Sequence, residues 1–101
     1  MALSRQDELT MIQEAQQGNP VAREVCILAF DDLIGYVAKR FLGHGLELDD
    51  LMQEGRLCLH RVLDRYLPER SAPRTFFEQH LEWHFIHHKS TWLGLRDEAR
   101  K

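Results

Sequence analysis

The 101-residue sequence lacks any apolar run that approaches the ~20 residues of a membrane-spanning helix. It also lacks an apolar signal segment, because the N-terminus reads MALSRQDELT. We therefore expect a cytoplasmic protein with no membrane partner. Cysteine is scarce, and Cys26 and Cys58 are not spaced as a metal or redox pair. Both are interpreted as small apolar core residues.

An excess of positive charge is absent as well. The 13 Lys and Arg residues face 16 Asp and Glu residues, which gives a formal net charge of −3. A protein that binds DNA mainly through phosphate contacts is normally basic, so this balance argues against simple coating of DNA and permits a protein partner. No glycine-rich phosphate loop and no local Ser/His/Asp or Cys/His set occurs. We expect neither an enzyme nor a cofactor.

Capping and turn residues divide the chain into four predicted helices. Ser4 opens a sequence that resembles a capping box, and Gly18 stands where a first helix would end. Asn19 and Pro20 are typical of the start of a second helix, and Pro68 ends the third. The predicted helices cover residues 4–17, 20–42, 49–66 and 74–93. The sequence therefore predicts one all-α domain of four helices over residues 1–101.

The third predicted helix has two distinct faces. Its buried face repeats at three- and four-residue spacing and contains Leu51, Gly55, Cys58, Leu59, Val62, Leu63 and Tyr66. Its opposite face contains Asp50, Gln53, Glu54, Arg56, His60, Arg61 and Asp64. A polar face of this kind is usually no more than a solvated helix surface.

The same stretch, DLMQEGRLCLHRVLDRYLPER, closely resembles the helix with which sigma factors of the sigma-70 class bind core RNA polymerase in their region 2. The preceding pattern, a helix followed by AQQGNP and a long apolar helix ending in AKRFLG, is similar to the start of that region. The resemblance covers most of the chain and implies a region 2 fold. It also implies contacts with the clamp coiled coil of the largest polymerase subunit for Asp50, Gln53, Glu54, Arg56, His60 and Arg61.

The fourth predicted helix separates into two stripes when it is projected at about 100° per residue. The expected core stripe contains Phe77, Leu81, Phe85, His88 and Trp92. The second stripe contains Phe76, His80, Trp83 and His87. Large aromatic side chains away from the core face indicate a partner or a wide contact surface.

The resemblance implies that this second stripe contacts the promoter −10 element, where aromatic rings stack on bases that have left the duplex. Thr75 matches the family's F-S-T-Y or F-R-T-W motif and thereby places Phe76 in the stacking position. A shift of one residue would give Phe77 that role. The tryptophan pair of housekeeping sigma factors falls on Gln79 and His80. The predicted DNA-binding residues are Phe76, Phe77, Gln79, His80, Trp83 and His87.

Departures from the family pattern leave the function open at several points. Residues 74–95 carry two positive residues, Arg74 and Lys89, against two negative ones, Glu78 and Glu82, so this helix has little counterion-release drive toward DNA. Region 4 has no counterpart, which indicates a fragment, a shorter type resembling extracytoplasmic-function factors, or one half of a two-subunit factor with a region 4 partner protein. A regulatory decoy on polymerase and a helical module without polymerase affinity are also compatible with the sequence. An anti-sigma factor is a further candidate partner.

Histidines are concentrated in the fourth predicted helix at positions 80, 84, 87 and 88. His80 and His84 have the i, i+4 spacing of some metal sites, but one helix supplies too few ligands and we expect no metal. Two of the four are expected to be partly buried and two to line the DNA face. Because imidazole titrates near neutrality, DNA affinity is expected to rise on acidification. His44 is expected to lie in a surface loop.

Overall fold

The computed structural model describes residues 3–43 and 46–100, with side chains up to residue 87. Within these residues five α-helices follow one another: α1 (Arg5–Gln16), α2 (Pro20–Ala29), α3 (Asp31–Ala38), α4 (Leu48–Val62) and α5 (Pro73–Arg100). Short 3-10 helices, Lys39–Phe41 and Leu63–Arg65, extend α3 and α4. The described residues contain no strand, and none of their helices combines the length and apolarity that a membrane span requires. The predicted all-α class is confirmed.

Capping side chains define the boundary between the first two helices. The Ser4 hydroxyl accepts a hydrogen bond from the Asp7 N–H at 3.1 Å, and the Asp7 carboxylate accepts from the Ser4 N–H at 3.3 Å. Gly18 follows α1 with a φ of +92°, a conformation that glycine adopts at little steric cost. The Asn19 side chain then accepts from the first N–H groups of α2, and Pro20 occupies the first helical position.

The single helix predicted over residues 20–42 is divided at Phe30, so the described part of the chain has five α-helices instead of the four predicted. Phe30 has a φ of −102° and a ψ of 13°, and its N–H donates to the Ile27 carbonyl at 3.1 Å instead of to the residue four positions back. Asp31 and Asp32 follow in the first turn of α3, where negative charge stabilises a helix start. The apolar spacing continues across this break, so periodicity alone did not reveal it.

The later helices start close to their predicted positions. Asp49 and Asp50 lie in the first turn of α4, while Glu47 occupies the cap position without a side-chain hydrogen bond. Asp49 and Asp50 therefore interact favourably with the helix dipole but do not cap the helix. α5 begins at Pro73, one residue before its predicted start, because proline is suited to the first helical position. It continues to Arg100, beyond the predicted end at residue 93.

Gly55 allows α4 to approach α3 and α5 closely. A Cβ atom at this position would collide with Cγ2 of Ile34, and it would lie 3.4 Å from Leu81 Cδ2 and 3.5 Å from Phe85 Cζ. Phe77, Leu81 and Phe85, predicted to face the core, are fully buried. The close crossing at Gly55 brings the side chains next to it on α4 within hydrogen-bonding distance of side chains on α5.

Both cysteines are buried and unpaired, in agreement with their interpretation as core residues. Burial raises the pKa of each thiol to about 11, so Cys26 and Cys58 remain protonated at neutral pH. Three further predictions concern side chains outside the described residues: the surface position of His44 and the core positions of His88 and Trp92.

Candidate functional site

The outer face of α4 carries the six polar residues singled out in the sequence. Three of them are exposed, Asp50, Gln53 and Arg61, and three are partly exposed, Glu54, Arg56 and His60. Leu57 lies at the centre of this face and is 55% exposed. Leu57 was missing from the predicted set, although its spacing of four residues from Gln53 and from Arg61 places it with them. The outer face of α4 is therefore a polar surface around an exposed leucine.

One edge of this face is joined to α2 and α3. Arg56 donates to the two carboxylate oxygens of Asp31 at 3.0 and 2.7 Å, and this hydrogen bonding raises the pKa of Arg56. Arg23 of α2 donates to Asp64 at 2.9 Å and to the carbonyl of His60. The guanidinium of Arg56 is thus held in place by an internal ion pair.

The other edge is joined to α5 by His84, which is only 5% exposed. Its Nε2 lies 3.1 Å from Oε2 of Glu54, and its Nδ1 lies 3.3 Å from Nη2 of Arg61. A guanidinium can only donate, so we assign Nδ1 as the acceptor and Nε2 as the donor to the carboxylate. Both contacts are then satisfied by a neutral imidazole. This role of His84 was not predictable from its spacing, because the contact depends on how α5 packs on α4.

A cleft of about 600 Å³ opens between α4 and α5. It is lined by Cys58, Arg61, Val62, Arg65, Gln79, His80, Trp83 and His84. Arg61 and Arg65 supply positive charge from one side, and Trp83, which is 58% exposed, supplies an aromatic ring from the other. Arg65 was absent from the predicted site, although its spacing of four residues from Arg61 points it the same way.

The aromatic stripe on α5 is only partly accessible. The rings of Trp83 and His87 pack with centroids 4.4 Å apart, and those of Phe76 and His80 with centroids 4.5 Å apart. Phe76 is half-buried and also contacts Tyr66. Burial, together with the nearby charge of Arg65, lowers the pKa of His80 from 6.5. Any gain of positive charge at His80 therefore requires a lower pH than an ordinary imidazole would.

Phe77 does not share this surface. Its ring is fully buried, with its centroid 4.9 Å from that of Phe30 and 6.2 Å from that of Tyr66. Moving the ring out to stack on a base would forfeit roughly 1.5–3 kcal/mol of burial. The burial of Phe77 therefore argues against its predicted role in DNA binding, and Phe76 is the more accessible ring of this pair.

Glu78 and Glu82 of α5 face away from the stripe. Arg40 donates to Glu82 at 3.0 Å and to Glu78 at 3.1 Å. At about 100° per residue, these glutamates lie on the opposite side of α5 from Phe76. The cleft side has Arg61 and Arg65 as neighbours instead. The local charge is therefore more favourable to an anion than the charge count over residues 74–95 suggested.

Comparison with known proteins identifies the family. Residues 26–81 match the family model described as Sigma-70 region 2. The chain belongs to the sigma-70 region 2 family. It is 32% identical over 68 residues to the RNA polymerase sigma factor RpoS of Coxiella burnetii, which covers 67% of this chain and 19% of that protein. It is 33% identical over 64 residues to the sigma factor SigA of Clostridium acetobutylicum, which covers 63% of this chain and 17% of that protein.

The sequence-based recognition of a sigma-70 region 2 domain is thus confirmed, while the chain spans less than a fifth of the length of these two relatives. The family consists of non-enzymatic transcription initiation factors. The matched range includes the whole polar face of α4 and the start of the α5 stripe, with Phe76 and His80. Trp83 and His87 lie beyond it.

The histidines of this sigma-70 region 2 domain do not assemble into a metal site within the part of the chain that the structure describes. The described residues contain no group of three or more His, Cys, Asp or Glu side chains that could hold a metal ion. Within the i, i+4 pair, His84 places its two ring nitrogens against Glu54 and Arg61, and the ring of His80 packs on Phe76. The two imidazoles therefore have protein partners in place of a shared ion.

Proposed function

We propose that this chain is a sigma-like transcription initiation protein that binds core RNA polymerase through the outer face of α4 and contacts promoter −10 DNA through the cleft between α4 and α5. The proposal rests on the accessibility and the fixed position of the outer face of α4. Its outer surface is uncovered, whereas both of its edges are fixed by hydrogen bonds to other helices. Side chains that are already held in place lose less conformational entropy when a protein partner binds.

The partner implied for this face is helical, the clamp coiled coil of the largest polymerase subunit. An apolar residue surrounded by polar side chains is the usual composition of a protein interface, with a dry centre and a hydrated rim. Leu57 supplies the centre, and the rim consists of Asp50, Gln53, Glu54, Arg56, His60 and Arg61. Leu57 therefore joins the six residues of the predicted polymerase-binding set.

The cleft fits a single strand of DNA. Exposed aromatic rings stack on any base, and arginines contact the phosphates that link the bases. Trp83 and the accessible part of Phe76 supply the rings, while Arg61 and Arg65 supply the charge. Gln79, His80 and His87 complete this proposed DNA surface.

A regulatory decoy, which would occupy the sigma site on polymerase without opening DNA, is the second candidate. The half-burial of Phe76 favours it, because Tyr66 and His80 already cover part of the ring that would stack on a base. Gln79 and His80 also replace the tryptophan pair of housekeeping sigma factors. The decoy shares the polymerase site of the first proposal and differs only in lacking the DNA step.

The test is a pull-down of core RNA polymerase with the wild-type chain, with Leu57→Lys and with Leu28→Lys. The two leucines are 55 and 57% exposed, but the first lies on α4 and the second on α2. We expect Leu57→Lys to lose polymerase and Leu28→Lys to retain it. Equal binding by all three chains would overturn the proposed polymerase site.

The bound complex is then crosslinked to a single-stranded −10 oligonucleotide, with a scrambled strand as control. Crosslinks at Trp83 or Phe76 that depend on the −10 sequence would support the initiation protein. Retained polymerase binding without any crosslink would favour the decoy. Binding of neither polymerase nor DNA would leave a helical module with another role.

A further inference from the structure

We propose that His84 is a positioning residue for the polymerase-binding face and holds Glu54 and Arg61 in the orientation in which they meet polymerase. The inference rests on the proposed function and adds a residue of α5 to a surface otherwise built on α4. His84 is too deeply buried to contact a partner over more than a small fraction of its surface, at 5% exposure. Its effect therefore passes through neighbouring side chains, and Glu54 and Arg61 are the residues of the polymerase-binding face that it bonds.

The position of His84 follows from the packing of the two helices. Gly55 lets α5 approach α4 so closely that Leu81 and Phe85 lie at van der Waals distance from where its Cβ would be. His84, next to Phe85, then reaches Glu54, next to Gly55, at 3.1 Å. A side chain longer than alanine at position 55 would clash with Leu81 and Phe85, separate α5 from α4 and lengthen this contact. The contact of His84 with Glu54 thus depends on the packing of α5 against α4 at Gly55.

Imidazole matches the two charges that flank it. Glu54 and Arg61 lie seven residues apart, which is about two helical turns on the same side of α4. A neutral ring offers one donor and one acceptor on opposite sides, so it serves the carboxylate and the guanidinium at once. An apolar side chain in its place would fill the volume but leave both charged groups unrestrained.

Restraint of these side chains bears on affinity. A long charged side chain that is immobilised on binding loses rotamer freedom, worth about 0.5–1.5 kcal/mol for each such residue. Hydrogen bonds already present in the unbound chain remove part of that loss. Glu54 and Arg61 are each partly or fully accessible on their outer sides, so they can meet a partner while His84 holds their inner sides.

The experiment measures the Kd of core RNA polymerase for the wild-type chain, His84→Leu and His84→Gln. The leucine keeps an apolar volume in the buried position, and we expect it to weaken binding about tenfold, the effect of losing one hydrogen bond to a charged group. Glutamine carries an acceptor and a donor on one planar group and should restore most of the affinity. A packing role alone would be served by leucine and would not be rescued by glutamine.

Ile86→Gln is the matched control on α5. Ile86 is 59% exposed and lies about 200° around the helix from His84, so its substitution should leave polymerase affinity unchanged. Circular dichroism and thermal unfolding show whether each variant is folded. If the leucine variant does not fold, His84→Asn replaces it, since asparagine is polar but too short to bridge both partners.

A double-mutant cycle with Glu54→Gln separates positioning from other causes. If His84 acts through Glu54, replacing His84 in the Glu54→Gln background should cost much less affinity than in the wild-type background. Additive losses would overturn the proposal, as would wild-type affinity in His84→Leu. Failure of the proposed function looks different, because then the folded wild-type chain itself would not bind polymerase.

Discussion

Gly55 is the residue at which three helices meet, and its lack of a side chain sets the distance between them. An added Cβ collides with Ile34, whereas it meets Leu81 and Phe85 at ordinary van der Waals distance. Overpacking of a core costs about 1–3 kcal/mol, while alanine gains about 1 kcal/mol over glycine as a helix former. Because these two effects oppose each other, we expect Gly55→Ala to lower the free energy of unfolding by up to about 2 kcal/mol. Urea denaturation measures this change.

Gly35 provides the control for that prediction. It lies inside α3, and a Cβ there would be 3.7 Å from Sδ of Met52, an ordinary contact. Gly35→Ala should therefore leave stability unchanged or raise it by up to about 1 kcal/mol, through helix propensity alone. A Gly55→Ala chain as stable as Gly35→Ala would show that the α4 crossing tolerates a wider separation than its geometry indicates.

At the scale of the elements, α1 is attached to the end of α4 by one side chain. The Gln16 amide donates to the carbonyl of Leu63 at 2.9 Å and to that of Tyr66 at 3.0 Å. These carbonyls belong to the turn that leaves α4, where helical partners run out. Gln16, at the end of α1, therefore donates hydrogen bonds to backbone carbonyl groups at the end of α4.

We expect Gln16→Ala to destabilise the chain by about 1 kcal/mol, because both carbonyls lose a protein donor. For a domain of this size that change lowers the melting temperature by roughly 4–8 °C. Gln17→Ala is the control, since Gln17 is the exposed neighbouring residue that ends α1. Equal melting temperatures for the two variants would mean that water replaces the Gln16 amide without loss.

Helix ends that depend on neighbouring residues were predictable from the sequence. The Ser4 and Asn19 caps are bonds between residues two or three positions apart, so the local pattern contains all the information. The break at Phe30 is different, because the first-turn carboxylates of α3 are bound by arginines from distant segments. Arg74 reaches Asp32 across 42 residues, and such pairs leave no periodic signal.

The candidate site likewise has one part that was predictable from local spacing and another part that depends on contacts between distant residues. The polar face of α4 lies within one helix, so its spacing predicted it, and the same spacing would have included Leu57. The contact between His84 and Glu54 spans 30 residues and needs the close approach at Gly55. The burial of Phe77 in place of Phe76 follows the pattern, because the helical projection puts Phe77 in the core stripe and Phe76 in the other stripe.

At the scale of the whole molecule, the net charge of −3 opposes DNA, while the cleft carries Arg61 and Arg65. Local charge should dominate, because salt screens charges that lie more than about 10 Å apart at 0.1 M ionic strength. Arg65→Gln and Lys39→Gln test this, since each lowers the net charge by one. Lys39 is exposed at the end of α3, outside the cleft lining.

We expect Arg65→Gln to weaken the binding of a single-stranded −10 oligonucleotide to the polymerase complex, and Lys39→Gln to have little effect. The slope of log K against log salt should become shallower by about 0.7 for Arg65→Gln, the value for one lost phosphate contact on a single strand. Anisotropy titrations at several salt concentrations give both quantities. Equal losses of affinity in the two variants would assign the effect to the net charge of the chain. Unchanged affinity in both variants would mean that Arg65 does not contact the DNA, and that Trp83 and Phe76 hold the strand by stacking.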